Sequence, residues 1–172
     1  MRLTRLDVQN LRCLAEVRFE PAAGLNLVTG GNGAGKTSLV EAIHLLGYGR
    51  SFRGRVRDGL VRSGQPALSV YAEWLDGQSR SRRAGLRHTG SDWEARLDGN
   101  PAPSLTELCA ELAVVSFEPG SHELIAGGAE HRRRFLDWAL FHVEPSFLPA
   151  WRRYARHLEP LGAKMRAAGL TS

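Results

Sequence analysis

Residues 30–37 read Gly-Gly-Asn-Gly-Ala-Gly-Lys-Thr and fit GxxxxGK[ST], the phosphate-binding P-loop. The pattern works only between a strand and a helix, so it constrains the chain on both sides. Leu25-Asn26-Leu27-Val28-Thr29 is a short apolar run that predicts a buried strand. From Lys36 the apolar period becomes helical, with Leu39, Val40, Ile43 and Leu46 on one predicted face; Gly47 and Gly49 are expected to stop the helix. Glycines let a loop turn its N–H groups onto phosphate oxygens, and the helix N-terminus adds partial positive charge. The residues expected to hold a nucleotide are Gly30, Gly31, Asn32, Gly33, Ala34, Gly35, Lys36, Thr37 and Ser38. Lys36 would neutralise the β- and γ-phosphates, and the Thr37 hydroxyl would ligate Mg²⁺. ATP and Mg²⁺ are the cofactors this implies; the alternative is a chance glycine-rich turn.

The surrounding 172 residues suit one sizeable core, and 42% hydrophobic with 24% charged residues excludes a wholly disordered chain. The net charge is +5, and all basic residues except Lys36 and Lys164 are arginine. Arginine suits bidentate phosphate contacts, although genomic base composition explains such a skew equally well. No apolar run approaches the roughly 18 residues that span a bilayer. The first ten residues, MRLTRLDVQN, do not read as a signal peptide. Cys13 and Cys109 stand alone, and no metal-ligand spacing is present. A reduced, soluble, cytoplasmic protein with no membrane partner is the expectation.

Leu3–Gln9 and Val17–Phe19 predict two strands joined by a turn. Residues 69–75, 82–88 and 93–97, separated by Asp76-Gly77, Gly90 and Asp98-Gly99, predict an antiparallel meander. Residues 104–112 predict a short helix, with Ser104 and Glu107 as a capping box. Ala113–Phe117 predicts another buried strand, 119–125 a loop or short helix, and 129–143 a helix ended by Pro145. A last helix is expected from Phe147 to about Leu158. The expected domains are a P-loop lobe with antiparallel strands over 1–128 and the start of a helical subdomain over 129–172.

Several segments together resemble one family. Leu6, Asn10, Leu11 and Arg12 ahead of the P-loop are similar to SMC-like head domains. Gly49-Arg50-Ser51-Phe52-Arg53, Ser121-His122-Glu123-Leu124 with Gly127-Gly128, and Trp151-Arg152-Arg153-Tyr154 resemble the RecF family. The most specific block is Arg132-Arg133-Arg134-Phe135-Leu136-Asp137-Trp138 with Phe141-His142-Val143-Glu144-Pro145. The resemblance runs collinearly over residues 1–158. It implies an α/β fold, an ABC-type ATPase head with a mixed sheet and a helical C-terminal part. It also implies ATP binding and an ATP-dependent homodimer. The DNA partner it implies is a single-strand/double-strand junction or single-stranded DNA. Recombination mediator proteins would be further partners, in recombinase loading at gaps, DNA replication and the SOS response.

Members of the family are about twice this long, so a truncated form with an incomplete sheet is expected. The signature motif and the acidic catalytic motif are not found in this chain, and the catalytic residues are unknown. Glu118, closing Val114-Val115-Ser116-Phe117, is the nearest local acid, and Gly120 stands where relatives usually carry an acidic residue. A small P-loop phosphotransferase and an inactive remnant of the ATPase are the rival readings.

Arg50, Arg53, Arg55, Arg57 and Arg62 fall within 13 residues, opposed only by Asp58. Arg50, Arg53, Arg55 and Arg57 are the DNA-binding candidates, against the plainer reading of a solvated loop. Arg80, Arg82, Arg83 and Arg87 fit a solvated hairpin. Steps of about 100° spread Arg132, Arg133 and Arg134 too widely for one ligand. The four tryptophans read as core or rim residues, and His44 has no evident partner in the sequence.

Overall fold

β1 (Arg2–Leu11) carries Leu6 and Val8 on one face, both fully buried, and Arg5, Asp7 and Gln9 on the other. A two-residue turn at Arg12-Cys13 reverses the chain into β2 (Leu14–Phe19), with Leu11 opposite Leu14. The computed structural model describes residues 1–172 except 54–58, 118, 145 and 168–172, and not the side chains of 119–120, 123 and 158–167. Among them, the strands form one antiparallel sheet in the order β2-β1-β3-β4-β5-β6. β3 (Leu68–Leu75), β4 (Ser81–His88), β5 (Trp93–Leu97) and the two-residue β6 (Asn100–Pro101) make the expected meander. Alternation is regular in β3: Leu68, Val70, Ala72 and Trp74 are buried, while Ser69, Tyr71, Glu73 and Leu75 are half-buried on the opposite face.

Against the apolar face lies α1 (Lys36–Tyr48), followed by α2 (Leu105–Glu111). Ser104 caps α2 as predicted, its hydroxyl accepting from the Glu107 N–H at 3.3 Å. α1 runs through Gly47 and ends at Gly49. Gly47 is inside the helix because residues 112–114 cross close by; a Cβ there would lie 2.6 Å from Val114. The predicted face of α1 needs correcting too. Leu39 and Leu46 are buried as expected, but so are Glu41, Ala42, His44 and Leu45, whereas Val40 is exposed. Leu39, Val40 and Ile43 line a groove of about 520 Å³ with Phe19 and Val28.

Two predicted strands do not form. Residues 25–29 have no strand partner, and Leu25 and Leu27 are 96% and 85% exposed. Residues 113–117 likewise make no ladder. Both runs are apolar enough for a strand, but β1 is already paired on both sides and the meander continues outward from β3. A strand without a neighbour leaves its backbone groups to water.

The described chain falls into two compact units, Met1–Ser116 and Phe117–Ser172. The second begins ahead of residue 129 because the turn at Pro119–His122 packs with α3 (Glu123–Ala126), which packs with α4 (Ala129–Val143). α5 (Phe147–Ala167) continues past the expected end near 158.

The buried face of α1 holds two ionisable groups. The Glu41 carboxylate is fully buried and takes Arg12 through Nε (3.2 Å) and Nη2 (2.9 Å). The Ser51 hydroxyl also donates to Glu41, and Arg53 Nη1 lies 3.8 Å away. His44, 6% exposed, stacks on Tyr48 and has Nδ1 3.1 Å from Ser116 Oγ, so it has the partners the sequence did not reveal. Burial, followed by the positive charge of Arg50, lowers its pKa from 6.5 to about 4.

Removing the Glu41 carboxylate takes the buried counter-charge away from Arg12. Glu41→Ala is expected to cost about 3–5 kcal/mol in urea denaturation, and pairing it with Arg12→Met to restore much of the loss. A cost below about 1 kcal/mol would show that the ion pair does not matter. For His44 the sign follows from its lowered pKa. Between pH 6.5 and about 4 the unfolded chain takes up a proton that the folded chain resists. The native chain should therefore lose stability relative to His44→Gln as pH falls through that window, with the difference constant above it.

Candidate nucleotide-binding site

The loop 30–35 leads directly into α1. Gly35 is the N-cap, with φ of +93°, and a Cβ there would lie 2.4 Å from Leu14 Cδ2. Backbone conformation and the close approach of the β1–β2 turn both require glycine at this position. Gly30 and Gly33 also have positive φ. Nothing lies within 4 Å of a Cβ built at Gly31 or Gly33, so the backbone is open to a ligand there.

Lys36 reaches back over the loop. Its Nζ donates to the carbonyls of Gly30 and Gly31, each at 2.8 Å. Ala34 N–H donates to Gly31 O at 3.3 Å, and Leu39 N–H to Gly35 O at 2.9 Å. Among the described residues, none accepts from the N–H groups of Gly33, Gly35, Lys36, Thr37 or Ser38. No side chain caps the helix, and its first turn carries no acid. A cluster of free donors beside an ammonium suits phosphate oxygens, so the residues present fit a nucleoside triphosphate. Thr37 is exposed at the same end, where its hydroxyl fits a ligand for a phosphate-bound Mg²⁺. Ser38 is different: it is 3% exposed, with Oγ 3.8 Å from Cys13 Sγ, so its side chain faces the β1–β2 turn.

The arginine candidates separate. Arg50 is exposed just beyond the C-cap of α1. Arg53 is exposed but tied to Glu41, and its N–H donates to Ser51 Oγ at 2.9 Å. Arg55 and Arg57 lie outside the described residues, as does Glu118. Arg80 pairs with Asp76 and Arg87 with Glu94, both solvated on the hairpins, whereas Arg82 is half-buried and pairs with Asp98 and with Glu111 of α2. Arg133 and Arg134 pair with Glu130, and Arg132 Nη1 donates to Gly127 O.

Sequence reasoning missed Glu41 as the residue that organises this neighbourhood. The available signal was an acid flanked by Val40 and Ala42 within the apolar period of α1. Among the described residues no group of three or more His, Cys, Asp or Glu side chains gathers as a metal site. No helix among them is long and apolar enough to cross a membrane.

Comparison with known proteins bears on the same residues. The AAA domain family model matches residues 5–80, which include the loop and α1. "DNA replication and repair protein RecF" of Stenotrophomonas maltophilia is 59% identical over 98% of this chain and 48% of its own length. The protein of that name from Thioalkalivibrio sulfidiphilus is 46% identical, over 92% of this chain and 44% of its own length. A solved structure of the recombination mediator protein RecF-ATP in the RecFOR pathway superposes with a TM-score of 0.83 at 26% identity. That match covers 96% of this chain and 45% of the other. The chain thus spans about half the length of the relatives it matches. With identity of this order over nearly all its residues, the chain is similar along its length to the N-terminal half of proteins named RecF.

Proposed function

We propose that this chain supplies the nucleotide-binding half of an ATP- and DNA-binding protein of recombinational DNA repair and replication. The observation that carries the reading is the loop itself: free N–H donors at an uncapped helix start, with Lys36 arched over them. Support comes from relatives named as DNA replication and repair proteins and from the RecF-ATP structure. In this reading Gly30–Ser38 cradle the phosphates through the backbone. Lys36 exchanges its two carbonyl contacts for phosphate oxygens, and the Thr37 hydroxyl faces Mg²⁺. A bound nucleotide supplies the γ-phosphate charge that these groups neutralise.

DNA enters the proposal through Arg50, with Arg53, Arg55 and Arg57 continuing the basic stretch. A single strand or a single-strand/double-strand junction is the proposed substrate. Recombination mediators and a second, ATP-bound copy are the proposed protein partners, in the cytoplasm and within the SOS response. The Met1–Ser116 unit would be the nucleotide lobe, and the helical unit the start of a second subdomain.

Ligand at 100 times its dissociation constant stabilises a folded binder by about 2.7 kcal/mol, or about 5–10 °C for a chain of this size. Mg·ATP is expected to raise the melting temperature of the native chain by that order and to leave Lys36→Ala unmoved. Equal shifts in both, or no shift in either, would overturn the nucleotide reading. For DNA, Arg50→Gln is the cleaner variant, because Arg53 also serves Glu41. It should weaken binding and flatten the salt dependence by about 0.7 for each single-strand phosphate that is no longer neutralised.

A further inference from the structure

The outer face of the sheet is laced with ion pairs, and two arginines are left out of them. Asp7 takes Arg5 and Arg18. Glu73 takes Arg5 at 3.5 Å and the Tyr71 hydroxyl at 2.8 Å. Glu94 takes Arg87 at 3.3 Å. Arg83 and Arg96 lie on the same face, both exposed, and among the described residues no carboxylate comes within ion-pair distance of either. Arg83 stands opposite Glu73 in register, but its guanidinium turns away toward the Gly99 turn, with Nη2 3.0 Å from the position a Gly99 Cβ would take. Arg96 stands opposite Gly85, which in turn stands opposite Tyr71. Tyr71, Gly85 and Arg96 thus form one row across β3, β4 and β5, with Arg83 beside it. Between them is a hollow of about 280 Å³ lined by Tyr71, Arg83, Ala84, Gly85, Arg96 and Gly99.

Gly85 is the second observation. Glycine inside a strand weakens it and usually marks a bulge or a close approach by another backbone or a ligand. There is no bulge here, since β4 pairs in continuous register with both β3 and β5. Its φ is not in the left-handed region. A Cβ at Gly85 would meet only Arg96 Cβ, at 4.0 Å, which is ordinary contact. Neither backbone nor packing requires glycine, yet its missing side chain is what opens the hollow between two guanidinium groups that have no described carboxylate within ion-pair distance.

We propose that this hollow binds a backbone phosphate of single-stranded DNA, held between Arg83 and Arg96 and beside the Tyr71 ring. Guanidinium pairs suit phosphate oxygens, and the Tyr71 ring already carries the Arg5 guanidinium 5.4 Å from its centroid, a third positive group near the hollow. The proposal rests on the DNA-binding reading above and places a contact on the sheet, within the Met1–Ser116 unit and separate from the phosphate loop.

The test is fluorescence anisotropy of labelled oligothymidylate with the 172-residue chain, across a salt series, for the native chain, Arg83→Gln/Arg96→Gln, Gly85→Val and Arg50→Gln. Far-ultraviolet circular dichroism and melting temperature check that each variant is folded. The double arginine variant is expected to bind roughly tenfold more weakly, with a salt slope shallower by about 0.7 for each phosphate it releases. Gly85→Val fills the hollow without touching a charge, suits a strand, and should weaken binding while the melting temperature holds. Native affinity in both sheet variants alongside weakened Arg50→Gln overturns this site and leaves the DNA-binding reading standing. An equal loss to a polyglutamate competitor as to unlabelled DNA overturns the phosphate assignment. No binding by the native chain overturns both.

Discussion

The Glu41 carboxylate is shut off from water, yet segments from three parts of the chain converge on it. It projects from the helix that starts at the phosphate loop, and it holds the β1–β2 turn through Arg12 and the segment after α1 through Ser51 and Arg53. Desolvating such a group costs several kcal/mol, which only well-placed partners offset. The partners are positioned with some strain of their own. Arg12 has φ of +54°, a region costing an ordinary residue about 1–2 kcal/mol. Its backbone N–H is anchored to Leu60 O at 2.9 Å, which helps hold it there. Because Cys13 and Leu14 follow immediately and press on Ser38 and Gly35, the shape of the phosphate loop depends on an ion pair buried one turn further along α1.

Much of this was legible because the informative patterns are local. The start of α1 at Lys36, the Ser104 cap and the strands expected over 69–75 and 82–88 each depend on neighbours a few residues away, and each appears close to where the sequence places it. What failed depended on distant partners. An apolar run such as 25–29 has strand composition, but a ladder needs a second strand that only tertiary structure supplies. The buried face of α1 is broader than its apolar period shows, because Glu41 and His44 look like solvent residues until Arg12, Ser51 and Ser116 are brought to them from 10 to 72 residues away. Long-range satisfaction of buried polar groups leaves almost no signature in periodicity.

The arginines follow the same logic. In the sequence, Arg80, Arg82, Arg83 and Arg87 look equivalent. In the fold, three have a carboxylate within ion-pair distance and Arg83 does not, because register and the neighbouring turn and helix decide which acid each can reach. Asp98 and Glu111 serve Arg82, whereas Glu73 is occupied by Arg5 and Tyr71 before Arg83 can use it. Arginine abundance alone therefore says little about recognition; the unpaired remainder after pairing is the informative quantity.

The position of β1 also shapes how the chain can assemble. Its pairing with β2 needs only a two-residue turn, and β3 to β5 zip through short hairpins. Joining these two pieces through β1 and β3 is a different kind of event, because the connection spans residues 20–67 and contains the phosphate loop, α1 and the arginine segment. Closing a loop has an entropic cost that grows by only about 0.6 kcal/mol per doubling of length, so the connection is tolerable in equilibrium. Kinetically it is the non-local contact, and such contacts set the pace of folding. The hairpin pieces rest on local contacts, while the phosphate loop lies in the connection that the long-range pairing of β1 with β3 must close.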